Sequence, residues 1–309
     1  MDGIININKP KGMTSFDVIR RVKKITGQKK MGHIGTLDPL ATGVLPLFLG
    51  KMTKLIPHFN LSDKVYEAEI TFGFSSPTLD LEGELTAHPI PDSFSEELVL
   101  KALEGFKGDI LQIPPMFSAI KKNGKKLYEL ARKGEEIERE PRPVTIYELD
   151  LLKFNILGDD NANQDHPKIK IRVHCSKGTY IRTLADDLGA KLGTKAILSG
   201  LERTQSGSQF FIEQAVTLDQ IENNDQTTIL KYFLDPASLL TTWLKLDLQE
   251  DAEIIRLSQG QKIRFKNSVV GEKRETNQCF IYQSKKILAL GHLEFSQDDP
   301  IFVPEKVLI

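Results

Sequence analysis

The amino-acid sequence predicts a mixed α+β fold with a small β domain at its C-terminal end. Residues 64–74 and 168–175 alternate between apolar and polar side chains, which is typical of strands with one buried face. Apolar residues at helical spacing follow Ser15 and Tyr180, so helices are expected beside these strands. From about residue 246 the pattern changes to short strands separated by turns, predicted at 263–265, 279–282, 287–290 and 301–303.

The N-terminal elements are predicted from caps and apolar spacing. The first helix has its predicted N-cap at Ser15 and ends near Gly27. Its apolar face is formed by Val18, Ile19, Val22 and Ile25. A glycine-rich loop at 31–43 follows, and the apolar run 44–49 is expected to form a buried strand that ends at Gly50.

The middle of the chain combines strands, helices and a long irregular segment. The inward-facing residues of its two alternating strands are Tyr66, Ala68, Ile70 and Phe72, and then Ile169, Ile171, Val173 and Cys175. A helix is expected at 94–106, and another has the apolar stripe Ile181, Leu184, Ala185 and Leu188. Residues 112–145 mix prolines, glycines and charges and predict an excursion from the core, and 158–167 predicts a surface loop.

The composition is that of an ordinary globular protein, with 40% hydrophobic and 27% charged residues. No apolar run reaches about 18 residues, so no transmembrane helix is predicted and a cytoplasmic location is expected. Cys175 and Cys279 cannot form a disulfide framework and have no partners at metal-ligand spacing, so no structural zinc is expected.

Basic residues are concentrated in two segments, although the formal net charge is only −1. Residues 1–33 contain eight Lys/Arg against two Asp, and residues 119–133 contain six against one Glu. Two basic patches on a nearly neutral protein fit a polyanion that touches part of the surface. They also fit the solvated faces of helices and hairpins, and composition does not decide between these interpretations.

The common nucleotide, zinc-protease and hydrolase signatures are absent from the sequence, because it contains no GxxxxGK[ST], GxGxxG, HExxH or GxSxG. The segment GHIGTLDPLATGVL, residues 32–45, instead surrounds a single carboxylate, Asp38, with small residues. The following proline keeps Asp38 out of helical geometry, so a rigid loop would position this carboxylate. The alternative is an Asx-turn in which the side chain bonds to its own backbone.

This segment closely resembles the active-site motif of the TruB family, the bacterial tRNA pseudouridine-55 synthases. Five further stretches agree in order, namely NKPKGMTS (8–15), KVYEAEITFG (64–73), IPPMFSAIKKNGKKLYELARKG (113–134), CSKGTYIRTLADDLG (175–189) and LERTQSGSQF (201–210). The resemblance continues more weakly into the C-terminal tail. The departures are Ile34, where threonine is frequent in the family, and the loop at 158–167.

The resemblance implies a catalytic set. Asp38 matches the nucleophile, which could engage ribose C1′, pyrimidine C6, or the C2′ proton in a glycal route. Arg182 matches the arginine that pairs with this aspartate and keeps it ionised. Tyr66 matches the aromatic ring that stacks on the flipped uracil, and its hydroxyl could assist proton removal from C5.

The resemblance also implies substrate-binding residues and an architecture. His33 would fill the space left by the extruded nucleotide, Tyr180 and Leu201 would line the uracil pocket, and Lys9 and Lys11 would meet phosphates. The fold implied is a mixed, largely antiparallel sheet of the pseudouridine synthase type. A catalytic domain, 1–245, would contain a mobile RNA-contacting insertion, 117–145, and a PUA-like RNA-binding domain, 246–309, would follow. The implied substrate is the T-arm of tRNA, acted on by a monomer without cofactor or metal.

Two other functional classes compete with this interpretation. A non-catalytic RNA-binding or RNA-folding protein could keep the same scaffold, but it would be expected to have lost Asp38 or Arg182, and this chain has both. A hydrolase could use Asp80 and Glu82 as paired carboxylates, although no second motif lies near them.

Overall fold

The structure is a computed structural model of the 309-residue chain. It describes residues 1–59, 62–122, 124–154, 166–266, 276–284, 286–295 and 299–309. Most of the loop predicted at 158–167 lies outside the described residues.

The first 211 residues supply a large mixed sheet and two small hairpins. The strands are β1 (Gly3–Lys9), β2 (Met31–His33), β3 (Thr42–Leu49), β4 (Asp63–Phe72), β5 (Phe74–Ser75), β6 (Thr86–Ala87), β7 (Gly108–Gln112), β8 (Lys121–Lys122), β9 (Lys125–Lys126), β10 (Arg142–Phe154), β11 (Lys168–Ser176), β12 (Ala196–Ser206) and β13 (Phe210–Phe211). The main sheet has the order β1-β3-β12-β4-β11-β10-β7, with β2 added to β3 and β13 to β12. Its strand pairs are antiparallel except β12 with β3, so the prediction of a mixed, largely antiparallel core is confirmed.

Helices cover the sheet and connect its strands. They are α1 (Ser15–Thr26), α2 (Glu96–Glu104), α3 (Leu127–Ala131), α4 (Ile181–Lys191), α5 (Leu218–Glu222), α6 (Gln226–Ile229), α7 (Pro236–Leu239) and α8 (Asp251–Ser258), with 3₁₀ turns at Gly50–His58, Ile212–Gln214 and Leu230–Tyr232. The alternation predicted for β4 and β11 is confirmed, since their inward residues are buried in one cluster with the apolar stripes of α1 and α4. Each fully buried Val, Leu, Ile or Phe side chain among them contributes about 1.5–3 kcal/mol by leaving water.

The N-cap of α1 differs from the prediction. Thr14 caps the helix by accepting a hydrogen bond from the Asp17 amide at 3.1 Å, and the Asp17 carboxylate accepts one from the Thr14 amide at 2.9 Å. Ser15 is buried one position later, where its hydroxyl donates to the Leu37 carbonyl and accepts from the Leu37 amide. Two adjacent hydroxyl residues compete for the cap, and the tertiary contact decides which one takes it. Gly27 ends the helix at φ +66°, as predicted.

A second sheet forms the C-terminal β unit. Its strands are β14 (Leu244–Asp247), β15 (Ile263–Arg264), β16 (Gln278–Gln283), β17 (Lys286–Glu294) and β18 (Ile301–Val307), in the order β14-β16-β17-β18-β15. Strand β14 was not predicted, and it pairs parallel to β16. The unit packs on the large sheet through a shared apolar cluster that includes Phe48, Phe210 and Phe280.

The basic segment between β7 and β10 has little regular structure. It contains the β8–β9 hairpin and the short helix α3. Residues Arg142–Ile146 already belong to β10, where they pair with β7 in the large sheet. No helix in the described part of the chain is long and apolar enough to span a membrane.

Candidate active site

The loop that carries Asp38 connects β2 to β3 at one end of the large sheet. It is fixed from outside by Ser15, which bonds both backbone groups of Leu37. Within the loop, the Ala41 amide donates to the Asp38 carbonyl at 3.1 Å. The Asp38 carboxylate accepts no hydrogen bond from its own backbone among the described residues, so the Asx-turn alternative is not observed. Its side chain is 44% exposed, which leaves it accessible to a ligand.

Arg182 lies at the second position of α4 and holds the Asp38 carboxylate. Its Nη2 is 2.8 Å from Asp38 Oδ2 and also donates to the Phe117 carbonyl, at 2.8 Å. Its Nη1 donates to the Thr78 carbonyl at 2.9 Å. The arginine is buried, and the two carbonyls fix the plane of its guanidinium. The carboxylate is therefore held by a rigid partner.

Asp80 is a site residue that the sequence interpretation missed. Its carboxylate is buried and lies 3.7 Å from Nε of Arg182, so this arginine sits between two aspartates. Thr78 and the Glu82 amide donate to Asp80 Oδ1 at 2.5 and 3.0 Å. Asp80 thus belongs to the Asp38 site and does not form a separate hydrolytic pair with Glu82. The sequence of residues 78–85, TLDLEGEL, contains the Asp80 carboxylate, but only the tertiary structure shows that Arg182 is its partner.

A cavity of about 350 Å³ opens beside Asp38. It lies at the lower end of the roughly 300–1,000 Å³ typical of small-ligand pockets. The predicted site residues that line it are Asp38, Tyr66, Tyr180, Arg182 and Leu201. Lys64 and Arg203 also line it and were not singled out from the sequence, although both lie in stretches that resemble the family.

Two tyrosines, Tyr66 and Tyr180, form part of the cavity wall. Tyr66, on β4, is 8% exposed, and burial raises the pKa of its hydroxyl to about 12. Tyr180 precedes α4, and its backbone amide and carbonyl bond to the side-chain amide of Gln112 at 2.7 and 3.0 Å. Burial also raises the pKa of Tyr180. Both hydroxyls are therefore neutral near pH 7.

His33 lies outside the cavity wall, at the end of β2. Its Nε2 is 3.3 Å from the Thr36 hydroxyl, and burial lowers its pKa, so the ring is neutral near pH 7. The ring of Phe16 meets it edge-on, with centroids 5.7 Å apart. Phe16 is 64% exposed, so its ring is accessible from solvent.

The expectation that Lys9 meets phosphate is wrong. Lys9 is fully buried, and its ammonium donates to the carbonyls of Pro10, Met13 and Pro39 at 3.0, 2.5 and 3.3 Å. Burial lowers its pKa to about 8. The lysine ties the start of α1 to the Asp38 loop, and a buried ammonium cannot reach an external phosphate. Lys11, two residues later, is exposed and lines a neighbouring cavity.

Comparisons with known proteins place this chain among named relatives. The model of the TruB family pseudouridylate synthase N-terminal domain matches residues 23–181, and that of the tRNA pseudouridylate synthase B C-terminal domain matches residues 182–240. The tRNA pseudouridine synthase B of Clostridium acetobutylicum is 42% identical over 95% of this chain and 96% of its own. That of Clostridium perfringens strain 13 is 40% identical over 100% and 99%.

Solved structures share the fold. A chain of an H/ACA RNP bound to a substrate RNA containing 2′-deoxyuridine has a TM-score of 0.63 at 23% identity, and covers 99% of this chain and 85% of its own. A chain of a Cbf5-Nop10-Gar1 complex has a TM-score of 0.61 at 26% identity, over 99% and 85%. The motifs, the fold and the full-length relatives agree, and the chain belongs to the TruB family of pseudouridylate synthases.

Proposed function

We propose that the protein isomerises uridine to pseudouridine at position 55 in the T-loop of tRNA, with Asp38 as the nucleophile. The observation that carries this proposal is the accessible Asp38 carboxylate at the edge of a nucleobase-sized cavity, 2.8 Å from the buried Arg182 guanidinium. The relatives of matching length are named tRNA pseudouridine synthase B, which supports tRNA as the substrate.

The reaction breaks the glycosidic bond, turns the uracil and rejoins it to ribose through C5. A duplex or loop would hide the reacting atoms, so the uridine must flip into the cavity, at a cost of about a few kcal/mol. Tyr66 then stacks on the base, with Tyr180 and Leu201 enclosing it. Arg182 orients the Asp38 carboxylate, which then engages C1′ or C6, or acts in a glycal route. No group is oxidised or reduced, so the stoichiometry requires no redox cofactor.

The rest of the RNA would contact surfaces around the cavity. His33 would take the place of the extruded nucleotide, and Phe16 beside it is placed to stack on a neighbouring base. Lys11 and the lysines of the β8–β9 hairpin are exposed or half-buried and could meet phosphates. We further propose that 117–145 orders over the stem-loop and that 246–309 is a PUA-like RNA-binding domain. The enzyme would act as a monomer.

The test uses an unmodified elongator tRNA transcript carrying tritium at uracil C5, without added nucleotide or metal. Wild-type protein should release one tritium per tRNA, and carbodiimide-blocked primer extension should map the product to the T-loop uridine. Asp38→Asn should release none. Asp92→Asn is the matched control, because Asp92 is exposed, also adjoins a proline, and does not line the cavity.

The possible outcomes distinguish the isomerase activity from the choice of the modified uridine. Release mapped to another uridine would keep the isomerase and overturn the site within tRNA. Tight tRNA binding without release by the wild type would favour an RNA-binding or RNA-folding protein. Release by Asp38→Asn at the wild-type rate would remove Asp38 from the mechanism.

A further inference from the structure

Arg203, on β12, is fully buried behind the Asp38 loop. Its Nε and Nη2 donate to the Val44 carbonyl at 2.8 and 2.6 Å, and Nη2 also donates to the Gly35 carbonyl at 2.8 Å. Gly35 and Val44 flank Asp38 in the chain, so one guanidinium holds both ends of the nucleophile loop. A Cβ at Gly35 would lie 2.9 Å from Nη1, which explains why a glycine stands there.

The charge of Arg203 is not neutralised in the described part of the protein. No carboxylate there lies within ion-pair distance of Arg203. Its Nη1 is buried without a hydrogen-bond acceptor of good geometry among the same residues. Burying a cation without a counter-ion is costly, and carbonyl clamping alone could be done by a neutral donor. A buried, unneutralised cation is suited to stabilising a negative charge that forms during a reaction.

Tyr66 is the group on which such a charge can form. Arg203 and Tyr66 are directly opposite each other in the β12–β4 register, and both line the cavity. Side chains at directly opposed positions lie within contact distance. The Arg203 guanidinium interacts with the Tyr66 hydroxyl. Burial raises the pKa of this hydroxyl, and Arg203 is the strongest of the groups that lower it.

We propose that Arg203 is a positioning residue for the isomerisation: it joins the nucleophile loop to Tyr66 and stabilises the Tyr66 oxygen as an anion that accepts the C5 proton. This inference rests on the proposed function. It assigns to Arg203 a role distinct from that of Arg182, which faces the Asp38 carboxylate.

The proton transfer balances as follows. After C5 has bonded to C1′, the ring carries a hydrogen on a tetrahedral C5 and a double bond between C6 and N1. The Tyr66 phenolate takes the C5 proton, the electrons of the C5–H bond form C5=C6, and the C6=N1 electrons move to N1. Water protonates N1, and the neutral phenol returns its proton to water, which carries the C5 tritium into solvent.

Other titratable groups around the pair affect its pH dependence. Asp38 and Cys175 face Tyr66, and both oppose its ionisation. Lys9, Lys64 and His33 face Arg203, and burial lowers the pKa of Lys9 to about 8. Burial lowers the pKa of Lys64 to about 8 and raises that of Cys175 to about 11. As the pH rises, Lys64 therefore titrates before Tyr66. The Lys64→Met variant removes the contribution of Lys64 to the pH profile and serves as the control.

The first test measures the Tyr66 hydroxyl directly and needs no RNA. A fluorinated tyrosine, whose phenol is more acidic, replaces Tyr66 in the full-length protein, and its ¹⁹F resonance is followed against pH. Arg203→Gln should raise the titration midpoint by about one pH unit or more, and Arg203→Lys should raise it less. An unchanged midpoint in both variants would overturn the proposal. Arg203→Lys carries this test alone if Arg203→Gln does not fold by circular dichroism.

The second test measures the chemical step as single-turnover tritium release. Arg203→Lys should slow release several-fold near pH 7, and its whole pH–rate profile should move to higher pH, because the phenolate population changes tenfold per pH unit below the pKa. In a Tyr66→Phe background the same substitution should have a clearly smaller effect, because only the bonds of Arg203 to the Gly35 and Val44 carbonyls are then lost. An equal loss in both backgrounds would mean that Arg203 only supports the loop. If the wild type releases no tritium, the proposed function fails, whereas the ¹⁹F titration still decides whether Arg203 acts on Tyr66.

Discussion

Replacement of Arg182 by lysine tests how Asp38, the proposed nucleophile, is held. The arginine uses three nitrogens in fixed directions, toward Asp38, Asp80 and the carbonyls of Thr78 and Phe117. Lysine keeps the charge but presents it at a single nitrogen. It can reach one carboxylate, and it leaves at least one of the two carbonyls without its donor.

The expected effects follow from those contacts. Losing a hydrogen bond between a charged donor and a carbonyl in this buried setting costs about 1.5–3 kcal/mol. We therefore expect Arg182→Lys to lower the free energy of unfolding by about 3 kcal/mol. The Asp38 carboxylate would shift by about 1 Å, which lowers the rate of single-turnover tritium release on the order of 100-fold.

Urea unfolding and the tritium assay measure the two effects separately. Arg20→Lys is the control, because Arg20 is 77% exposed and its ion pair with Asp17 lies on the surface of α1, where such pairs contribute little. A rate within about threefold of wild type would show that the planar geometry of Arg182 is not needed to orient the carboxylate. A free energy of unfolding unchanged within about 0.5 kcal/mol would refute the assigned hydrogen bonds.

Three further predictions concern residues around the site. Lys9→Met should lower the free energy of unfolding by about 3 kcal/mol in urea, because three carbonyls lose a charged donor. Asp187→Asn should raise it by about 1–2 kcal/mol at pH 7, because burial raises the pKa of Asp187 from 3.8 to about 6. The folded state then binds more protons than the unfolded state between these values, so stability falls as pH rises through them, and the gain should vanish below pH 4. Gly35→Ala should slow tritium release about tenfold or more, because its Cβ would displace Arg203.

Matched controls and contrary results define these tests. Gly193→Ala has nearly the same backbone strain as Gly35→Ala, with φ +75° against +73°, but the nearest atom to its Cβ is Pro91 Cγ at 3.7 Å, an ordinary contact. Equal losses of activity in these two variants would mean that strain, and not Arg203, is responsible. A reduced salt dependence of tRNA binding in Lys9→Met would restore the phosphate role. A gain from Asp187→Asn that persists at pH 3 would have a cause other than titration.

Local patterns were sufficient for much of the fold. The apolar faces of β4, β11, α1 and α4 could be predicted because each depends on a repeat within about ten residues. Strand β14 was missed because a four-residue strand is too short to show a period. The N-cap of α1 was placed one residue late, since local sequence cannot show that Ser15 is needed by the Asp38 loop.

The sequence by itself determined the family and the α+β class and directed attention to the Asp38 loop, because these are carried by contiguous motifs. Only the tertiary structure decided which charges face the cavity. Asp80 lies beside Arg182, Arg203 lies behind Asp38, and Lys9 is buried. Neither the distance along the chain nor the residue type indicated any of these three placements. The physical reason is that the environment of a charge depends on the strands that meet around it: β12 lies between β3 and β4 and brings together groups more than one hundred residues apart.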